Sequence, residues 1–288
     1  MVKEAGIRKQ DVQDSCKQHP PKATARNKKS LTMKTYWFIF HDGDILLSEE
    51  KEGKREVPES EQCPVALNEH DRIQSITPFP DGSAVKAVSL SERREKMGFE
   101  YIGLRESFNL LEFSVYQKAG KCEEIMYWDK QTRFCGVCGS PLSWHTEISK
   151  KCPTCGKEIW PLLATAIIVL IHKGDEVLLV RGKNFRKNFF GLVAGFVETG
   201  ETLEEAVHRE VLEETGLTIS NIRYFSSQPW PYPCGLMVGF EADYVSGNIK
   251  VQEEELLCAE WFTRNNLPTL PDKLSIARRL IDHWLQQG

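Results

Sequence analysis

The chain has 288 residues, a formal net charge of −4 and 41% apolar residues. This length allows two or three small domains of ordinary globular composition. The mild negative charge excludes a protein that attracts nucleic acid through a general basic field. The most apolar run, Leu162 to Ile171, has ten residues. A membrane-spanning helix needs about twice that length, so the run favours a buried strand.

The first 32 residues are polar and charged, which predicts a disordered extension over residues 1–32 without a secretory signal.

The chain contains nine cysteines. Four of them form two C-x-x-C pairs and the others are dispersed. An odd, scattered remainder is not a disulfide framework and is typical of a reducing compartment, so we expect a cytoplasmic protein.

Residues 33–130 mix short apolar runs with proline and glycine, which indicates a small α+β domain. Two apolar runs flank Asp42-Gly43 and predict a β-hairpin. The spacing over residues 106–130 is helical but is interrupted at Ala119-Gly120, which predicts two helices joined there. No internal repeat of a full element is evident.

The next segment, residues 131–160, contains both C-x-x-C pairs, and each pair is followed by glycine. Thirteen residues separate the last cysteine of the first pair from the first of the second. Four thiolates complete a tetrahedral Zn²⁺ site with no open position, so the pattern predicts a structural zinc ribbon. Two unrelated redox pairs are the alternative, and they do not normally occur doubled at this spacing. The predicted ligands are Cys135, Cys138, Cys152 and Cys155.

From residue 161 to residue 288 the pattern changes to long strands and indicates an α/β domain. Two apolar runs around residues 172–175 predict a second hairpin. A helix is expected to follow, because Thr202 and Glu205 form a capping box and Gly216 is suited to end it. More strands and a last helix complete the chain.

Three acids crowd one face of that helix. Glu210, Glu213 and Glu214 stand at positions i, i+3 and i+4, where like charges destabilise a bare helix. A hard divalent cation such as Mg²⁺ or Mn²⁺ reverses this effect, because it prefers oxygen ligands. A solvated acidic face is the alternative, but it explains neither the glycine-bearing loop before the helix nor Arg209 beside the acids.

The segment resembles the Nudix box. Gly195, Glu201 and the run Arg209-Glu-Val-Leu-Glu-Glu-Thr-Gly-Leu217 match every fixed position of that motif at its spacing. The resemblance implies the Nudix fold, a mixed sheet between helices. It also implies hydrolysis of a nucleoside diphosphate linked to another moiety.

A second resemblance narrows the substrate. The segment SQPWPYPCGLM, Ser227 to Met237, is similar to the SQPWPFPxS element of the NADH pyrophosphatase group, in which a zinc ribbon also precedes the Nudix domain. Tyr232 replaces Phe of that pattern and Gly235 replaces Ser, so one hydroxyl is missing. Trp160 stands where the group commonly has Tyr before the proline that ends the ribbon. Prolines stiffen the element, and aromatic faces bind nucleobases by stacking.

The resemblance implies a role for each site residue. Glu210 and Glu214 are expected to hold two or more divalent ions, with Glu213 assisting and Glu214 also accepting a proton from water. Arg209 is expected to orient a glutamate. The Ala194 carbonyl and Glu255 complete the implied metal ligands. Substrate contacts are expected at Glu147, Trp160, Phe196, Gln228, Pro229, Trp230, Pro231, Tyr232, Pro233, Cys234, Gly235 and Ala277.

The implied activity is hydrolysis of NADH or NAD to AMP and nicotinamide mononucleotide, and removal of NAD caps from RNA 5′ ends. The implied assembly is a homodimer, with no membrane partner. One alternative is a Nudix hydrolase for ADP-ribose or another nucleotide sugar, against which SQPWPYP argues. The other is a non-catalytic sensor of nucleotides or RNA, against which the complete set of glutamates argues.

Overall fold

The computed structural model describes residues 35–49, 52–185 and 188–287. The predicted disordered extension, residues 1–32, lies outside them. Within the described part of the chain, no helix combines the length and the apolar character needed to cross a bilayer. The described residues form three sheets, three α-helices and one 3-10 helix, Glu106–Asn109.

The first large sheet contains six strands: β1 Thr35–His41, β2 Asp44–Ser48, β3 Glu59–Ser60, β4 Arg72–Ile76, β5 Ala84–Ser89 and β6 Phe99–Gly103. Its order is β4-β5-β1-β2-β6, with β3 paired to β1. The central strand β1 runs parallel to β5 and antiparallel to β2. The predicted hairpin between β1 and β2 is confirmed. Asp42 and Gly43 form its turn with positive φ angles of 48° and 86°, as an Asp-Gly hairpin turn requires.

Residues Phe113–Gln131 form one continuous helix, α1, so the predicted break at Ala119-Gly120 is wrong. A glycine inside a helix costs about 1 kcal/mol relative to alanine. Packing outweighs this cost, because α1 buries Cys122 and Met126 in the core that it forms with one face of the first sheet. Local propensity therefore suggested a break where tertiary contacts maintain the helix.

A three-stranded sheet follows α1 and contains β7 Ser143–Thr146, β8 Ser149–Lys151 and β9 Glu158–Ile159. Neighbouring strands in it are antiparallel. This small sheet carries the two C-x-x-C turns and corresponds to the predicted ribbon.

The second large sheet contains β10 Ala164–Lys173, β11 Glu176–Gly182, β12 Val193–Phe196, β13 Thr218–Trp230, β14 Gly235–Ser246 and β15 Leu256–Thr263. Helix α2, Leu203–Thr215, packs on one face and helix α3, Ile276–Gln286, packs on the other. The predicted mixed sheet between helices is therefore confirmed. The predicted hairpin of β10 and β11 is also present.

The two large sheets share one topology, although no repeat is evident in the sequence. The second sheet has the order β13-β14-β10-β11-β15, and β12 pairs with β10 as β3 pairs with β1. In both sheets the first strand is parallel to one neighbour and antiparallel to the other. Helices α1 and α3 both follow the last strand of their sheet. The second sheet differs in having a helix, α2, between β12 and β13. At the corresponding place in the first sheet, between β3 and β4, residues 61–71 form no helix.

Candidate active site

Helix α2 begins and ends as its sequence predicts. The backbone N–H of Glu205 donates to Thr202 Oγ1 at 3.2 Å, and the N–H of Thr202 donates to Glu205 Oε2 at 2.7 Å. Gly216 ends the helix with a left-handed φ of 70°. This capped helix buries one apolar stripe against the sheet: Ala206, Val207 and Val211.

Glu210 packs directly on the backbone of Gly195 in β12. A Cβ at position 195 would overlap the carboxyl group of Glu210, so only glycine leaves room for this side chain. Strand β12 is held against β10 by the pairing of Ile167 with Gly195. Ala194, the predicted backbone ligand, precedes Gly195 in the same strand. Burial raises the pKa of Glu210, although the adjacent Arg209 guanidinium opposes the shift.

Arg209 binds three carboxylates and one carbonyl. It forms a bidentate pair with Glu201, from Nε to Oε2 at 3.0 Å and from Nη2 to Oε1 at 2.6 Å. Nη2 also donates to the Phe196 carbonyl at 2.9 Å. Nη1 donates to Glu210 Oε1 at 2.8 Å and to Glu213 Oε2 at 3.1 Å. A planar guanidinium suits this fork, and these contacts are those of a residue that orients glutamates.

Glu214 is the most deeply buried of the three helix acids, with 3% of its surface exposed. Burial raises its pKa to about 8, and the charges of Glu210, Glu255 and Glu213 add to the effect. The backbone N–H of Gln252 donates to the Glu214 carbonyl at 3.0 Å. This bond ties the turn that carries Glu255 to the end of α2, so four acids belong to one electrostatic group.

A divalent cation fits this donor set. Hard oxygen ligands suit Mg²⁺ and Mn²⁺, and a cation would offset the repulsion among the acids, which adds to the effect of burial on the pKa of Glu214. The carboxylates do not converge as tightly as the four cysteines do. In the ranges that the structure describes, only the four cysteines form a group of three or more ligands with all donor atoms within 4.8 Å of one another.

The four cysteines converge as a structural zinc site requires. The Sγ atoms of Cys135 and Cys155 lie 3.6 Å apart, and those of Cys138 and Cys152 lie 3.5 Å apart. Tetrahedral Zn–S bonds of 2.3 Å place sulfurs about 3.8 Å apart. The glycine after each pair has a positive φ, 74° at position 139 and 75° at position 156, which closes both turns alike. The set fits a structural zinc ion and no pair is a disulfide.

The segment 227–237 covers the end of β13, a tight turn and the start of β14. Trp230 pairs with Gly235 across the turn. The rings of Trp230 and Tyr232 meet edge to face with centroids 5.1 Å apart, and both pack against the core of the first domain. A Cβ at position 235 would lie 3.1 Å from the Trp230 carbonyl oxygen. Glycine therefore allows the close approach that the larger serine of the related pattern would hinder.

Gln228 is fixed near the start of α3. Its Nε2 donates to the Leu274 carbonyl at 2.8 Å, and Ala277 is buried in the first turn of that helix. Gln228 Oε1 is also buried, and among the described groups it has no hydrogen-bond partner. An amide acceptor without a partner is available to a bound ligand.

The remaining predicted contacts lie on three separate elements. Phe196 ends β12 beside the glutamates and is 66% exposed. Trp160 follows β9 and is 52% exposed. It lines an apolar cavity of about 230 Å³ together with Leu162 and Leu163. Glu147, in the turn between β7 and β8, accepts a hydrogen bond from Thr77 Oγ1 of the first domain at 3.1 Å.

Three residues for which the sequence patterns predict no role lie at the site in the structure. Glu201 is the main partner of Arg209, and its fixed place in the motif was the available signal. Tyr116 and Gly120 of α1 contact the segment 227–237. No sequence pattern links them to it, because they belong to another domain.

Comparison with known proteins agrees with this architecture. The NUDIX domain model matches residues 161–285, and the model described as NADH pyrophosphatase-like rudimentary NUDIX domain matches residues 34–128. "Rudimentary" suits a sheet with the Nudix topology that lacks the glutamate helix. The fold and the carboxylate helix place this protein in the class of Nudix hydrolases.

Curated relatives define the family more narrowly. A protein named NAD-capped RNA hydrolase NudC from Pseudomonas aeruginosa is 42% identical over 205 residues, which cover 71% of this chain and 74% of the relative. The protein of that name from Deinococcus radiodurans is 42% identical over 65% of this chain and 69% of its own. The one from Pasteurella multocida is 45% identical over 62% and 66%. The chain belongs to the NudC family of Nudix hydrolases.

Proposed function

We propose that this protein hydrolyses the pyrophosphate bond of NADH and NAD to give AMP and nicotinamide mononucleotide, and that it removes NAD caps from RNA 5′ ends. The relatives' name and the NADH pyrophosphatase-like first domain support this substrate class. One observation supports metal-dependent hydrolysis as the reaction type. It is the group of four acids Glu210, Glu213, Glu214 and Glu255, whose charges act on the buried Glu214 and suit cations on a pyrophosphate.

We assign the catalytic ions to Mg²⁺ or Mn²⁺, two or more for each chain. Glu210 and Glu214 are the main ligands, and Glu213, Glu255 and the Ala194 carbonyl complete the set. Such ions neutralise the pyrophosphate and lower the pKa of a bound water. The buried position of Glu214 suits it to accept that water's proton as well as to bind metal.

Arg209 holds the ligand set in place instead of binding substrate, because Glu201, Glu210, Glu213 and the Phe196 carbonyl already occupy its donors. We assign the dinucleotide contacts to three regions. These are the exposed rings of Phe196 and Trp160, the segment from Gln228 to Gly235, and the two more distant positions, Glu147 and Ala277.

The four ribbon cysteines hold one structural Zn²⁺ in this proposal, and the chain works as a cytoplasmic homodimer. Exposed apolar side chains around Trp160 support the dimer, because Leu162 and Leu163 are 84% and 50% exposed beside it. Contiguous apolar surface of this kind is typical of an interface. We also propose the domain division 33–130, 131–160 and 161–288.

Turnover assays test the substrate class. NADH, NAD⁺, NAD-capped RNA and ADP-ribose are each incubated with the protein and Mg²⁺ or Mn²⁺, and kcat/KM is ranked. We expect the dinucleotides and capped RNA to exceed ADP-ribose. A higher value for ADP-ribose would favour the nucleotide-sugar alternative. Binding of NADH without cleavage would favour the sensor.

Glu214→Gln tests the assigned chemistry. Glutamine keeps the volume but cannot ionise, so kcat should fall at least about 10²-fold. Glu204→Gln is the matched control, because Glu204 lies exposed on the same helix. Full activity of Glu214→Gln would refute the role of Glu214 as ligand and base.

A further inference from the structure

The first domain contacts the tip of the segment 227–237, which consists of Pro231 and Tyr232. Pro231 lies against Gly120 in the middle of α1, and a Cβ at position 120 would come within 3.0 Å of Pro231 Cγ. Ordinary carbon contacts are about 3.5–4.0 Å. Pro231 is itself buried. The helix therefore tolerates a poor helix former at the one point where the proline ring lies on its backbone.

Two more contacts hold the same tip. The hydroxyls of Tyr116 in α1 and Tyr232 share a hydrogen bond. The guanidinium of Arg105, from the loop before the 3-10 helix, lies 5.1 Å from the Trp230 ring and 5.9 Å from the Tyr232 ring. Guanidinium groups at this distance from an aromatic face attract it. Tyr232 replaces the Phe of the related element, so its hydroxyl, which pairs with that of Tyr116, is an addition to that pattern.

The base of the segment is fixed by its own domain. Gln228 is bonded to the Leu274 carbonyl, and Trp230 is paired with Gly235 across the hairpin. Pro231 and Tyr232 lie beyond these ties. Apart from the edge-to-face contact of Tyr232 with Trp230, the side-chain contacts described above for these two residues are with the first domain. The position of the tip thus depends on α1, which lies outside the catalytic fold.

We propose that α1 acts as a brace that sets the position of Trp230–Tyr232, and that Gly120 and Tyr116 are positioning residues for the dinucleotide. The inference rests on the proposed function, in which this segment contacts the substrate. Its physical basis is preorganisation, because a segment already held in its binding geometry loses less entropy when the ligand binds. The brace is remote from Glu210 and Glu214 in sequence and makes no hydrogen bond with them, so it affects binding more than the chemical step.

Gly120→Ala is the sharpest test, because it acts directly on the contact between α1 and Pro231. Alanine has a higher helix propensity than glycine, yet its methyl group displaces Pro231. We expect KM for NADH to rise roughly threefold to tenfold, with kcat within about twofold. Gln117→Ala is the control, because Gln117 is exposed on the same helix and also gains helix propensity.

The tyrosine pair gives a second, independent measurement. Tyr116→Phe and Tyr232→Phe each leave one hydroxyl between α1 and the segment 227–237 without its partner. Each variant should therefore raise KM for NADH roughly threefold to tenfold. The double variant removes both hydroxyls and keeps both rings. Its KM should therefore lie below that of either single variant, since removing both partners of a buried hydrogen bond is nearly neutral. Additive effects would contradict the pairing.

The outcomes separate this inference from the proposed function. If the wild-type protein does not cleave NADH or NAD-capped RNA, the proposed function fails. If it cleaves them while Gly120→Ala and Tyr116→Phe keep wild-type KM values, the brace is refuted and the proposed function stands. A KM increase in Gln117→Ala equal to that in Gly120→Ala would also refute the brace.

Discussion

Gly195 determines the shape of the candidate active site at the residue scale. The carboxyl group of Glu210 occupies the space where any other residue would place its Cβ. The first glycine of the Nudix box is therefore required by a close approach between strand and helix, and not by a special backbone angle, because its φ is not among the positive ones.

Gly195→Ala should accordingly lower kcat at least about 10²-fold, because the displaced Glu210 can no longer take its place in the ligand set. Gly103→Ala is the control, since a Cβ there makes only ordinary contacts, with Asp44 and Glu106 at 3.7 Å or more. The measurement is kcat with NADH and Mg²⁺, with circular dichroism to verify folding. A variant that retains more than about half of the wild-type kcat would show that Glu210 need not lie on the strand.

Helix α1 performs two tasks at the scale of the element. It forms the core of the first domain through Cys122, Ile125 and Met126, and its middle turn receives Pro231. It also carries two half-buried acids, Glu123 and Glu124. Burial raises the pKa values of Glu123 and Glu124 to about 7 each.

The raised pKa of Glu123 predicts a loss of stability as pH increases. The folded protein binds a proton at Glu123 more tightly than the unfolded chain does, since the pKa rises from 4.5 to about 7. The neutral form is thus favoured by folding. The contribution of the neutral carboxyl group to the free energy of unfolding is complete below pH 4.5. It is lost as the pH rises through 7, and the loss is on the order of 2–3 kcal/mol.

Denaturant unfolding of the wild type and of Glu123→Gln at pH 5 and pH 8 measures this effect. The wild type should lose more of its free energy of unfolding between these values than the variant, because glutamine does not titrate. Glu61→Gln, at an exposed position, should behave as wild type. Equal losses in wild type and Glu123→Gln would mean that Glu123 is solvated in the folded protein.

At the scale of the whole molecule, one series of contacts joins the ribbon to the segment 227–237. Lys150 of β8 is buried and pairs with Asp129 of α1, Nζ to Oδ1 at 2.6 Å. It also donates to the carbonyl of Asp129 at 3.0 Å and to that of Thr132 at 2.8 Å. A cation at the C-terminal end of a helix satisfies its last carbonyls. The ribbon thus holds one end of α1, and the middle of α1 holds Pro231.

Lys150→Met should lower the free energy of unfolding by about 3 kcal/mol, because it leaves the buried Asp129 without one of its two cations. Lys151→Met, at the adjacent exposed position of β8, is the control and should change it by less than about 0.5 kcal/mol. Chemical denaturation measures both. We also expect a larger KM for NADH in Lys150→Met, through the loosened end of α1. Equal stability of the two variants would show that the ion pair contributes no net stabilisation.

Local patterns in the sequence were sufficient for much of the architecture. They predicted the hairpin at Asp42-Gly43, the capping box of α2 and the grouping of the four cysteines, all of which the structure contains. Each of these depends on residues that are close in the chain or on a spacing set by one ligand. The glutamate face of α2 also follows from helical periodicity alone.

Only the tertiary structure decided the features that join distant parts of the chain. Tyr116 and Tyr232 are separated by 116 positions, and their contact follows from the docking of one sheet-and-helix unit on another. Gly120 appeared to break a helix, because its partner Pro231 cannot be seen from the local sequence. The repeated sheet topology was hidden for a related reason. Backbone hydrogen bonding defines a sheet, and many different side chains satisfy the same pairing.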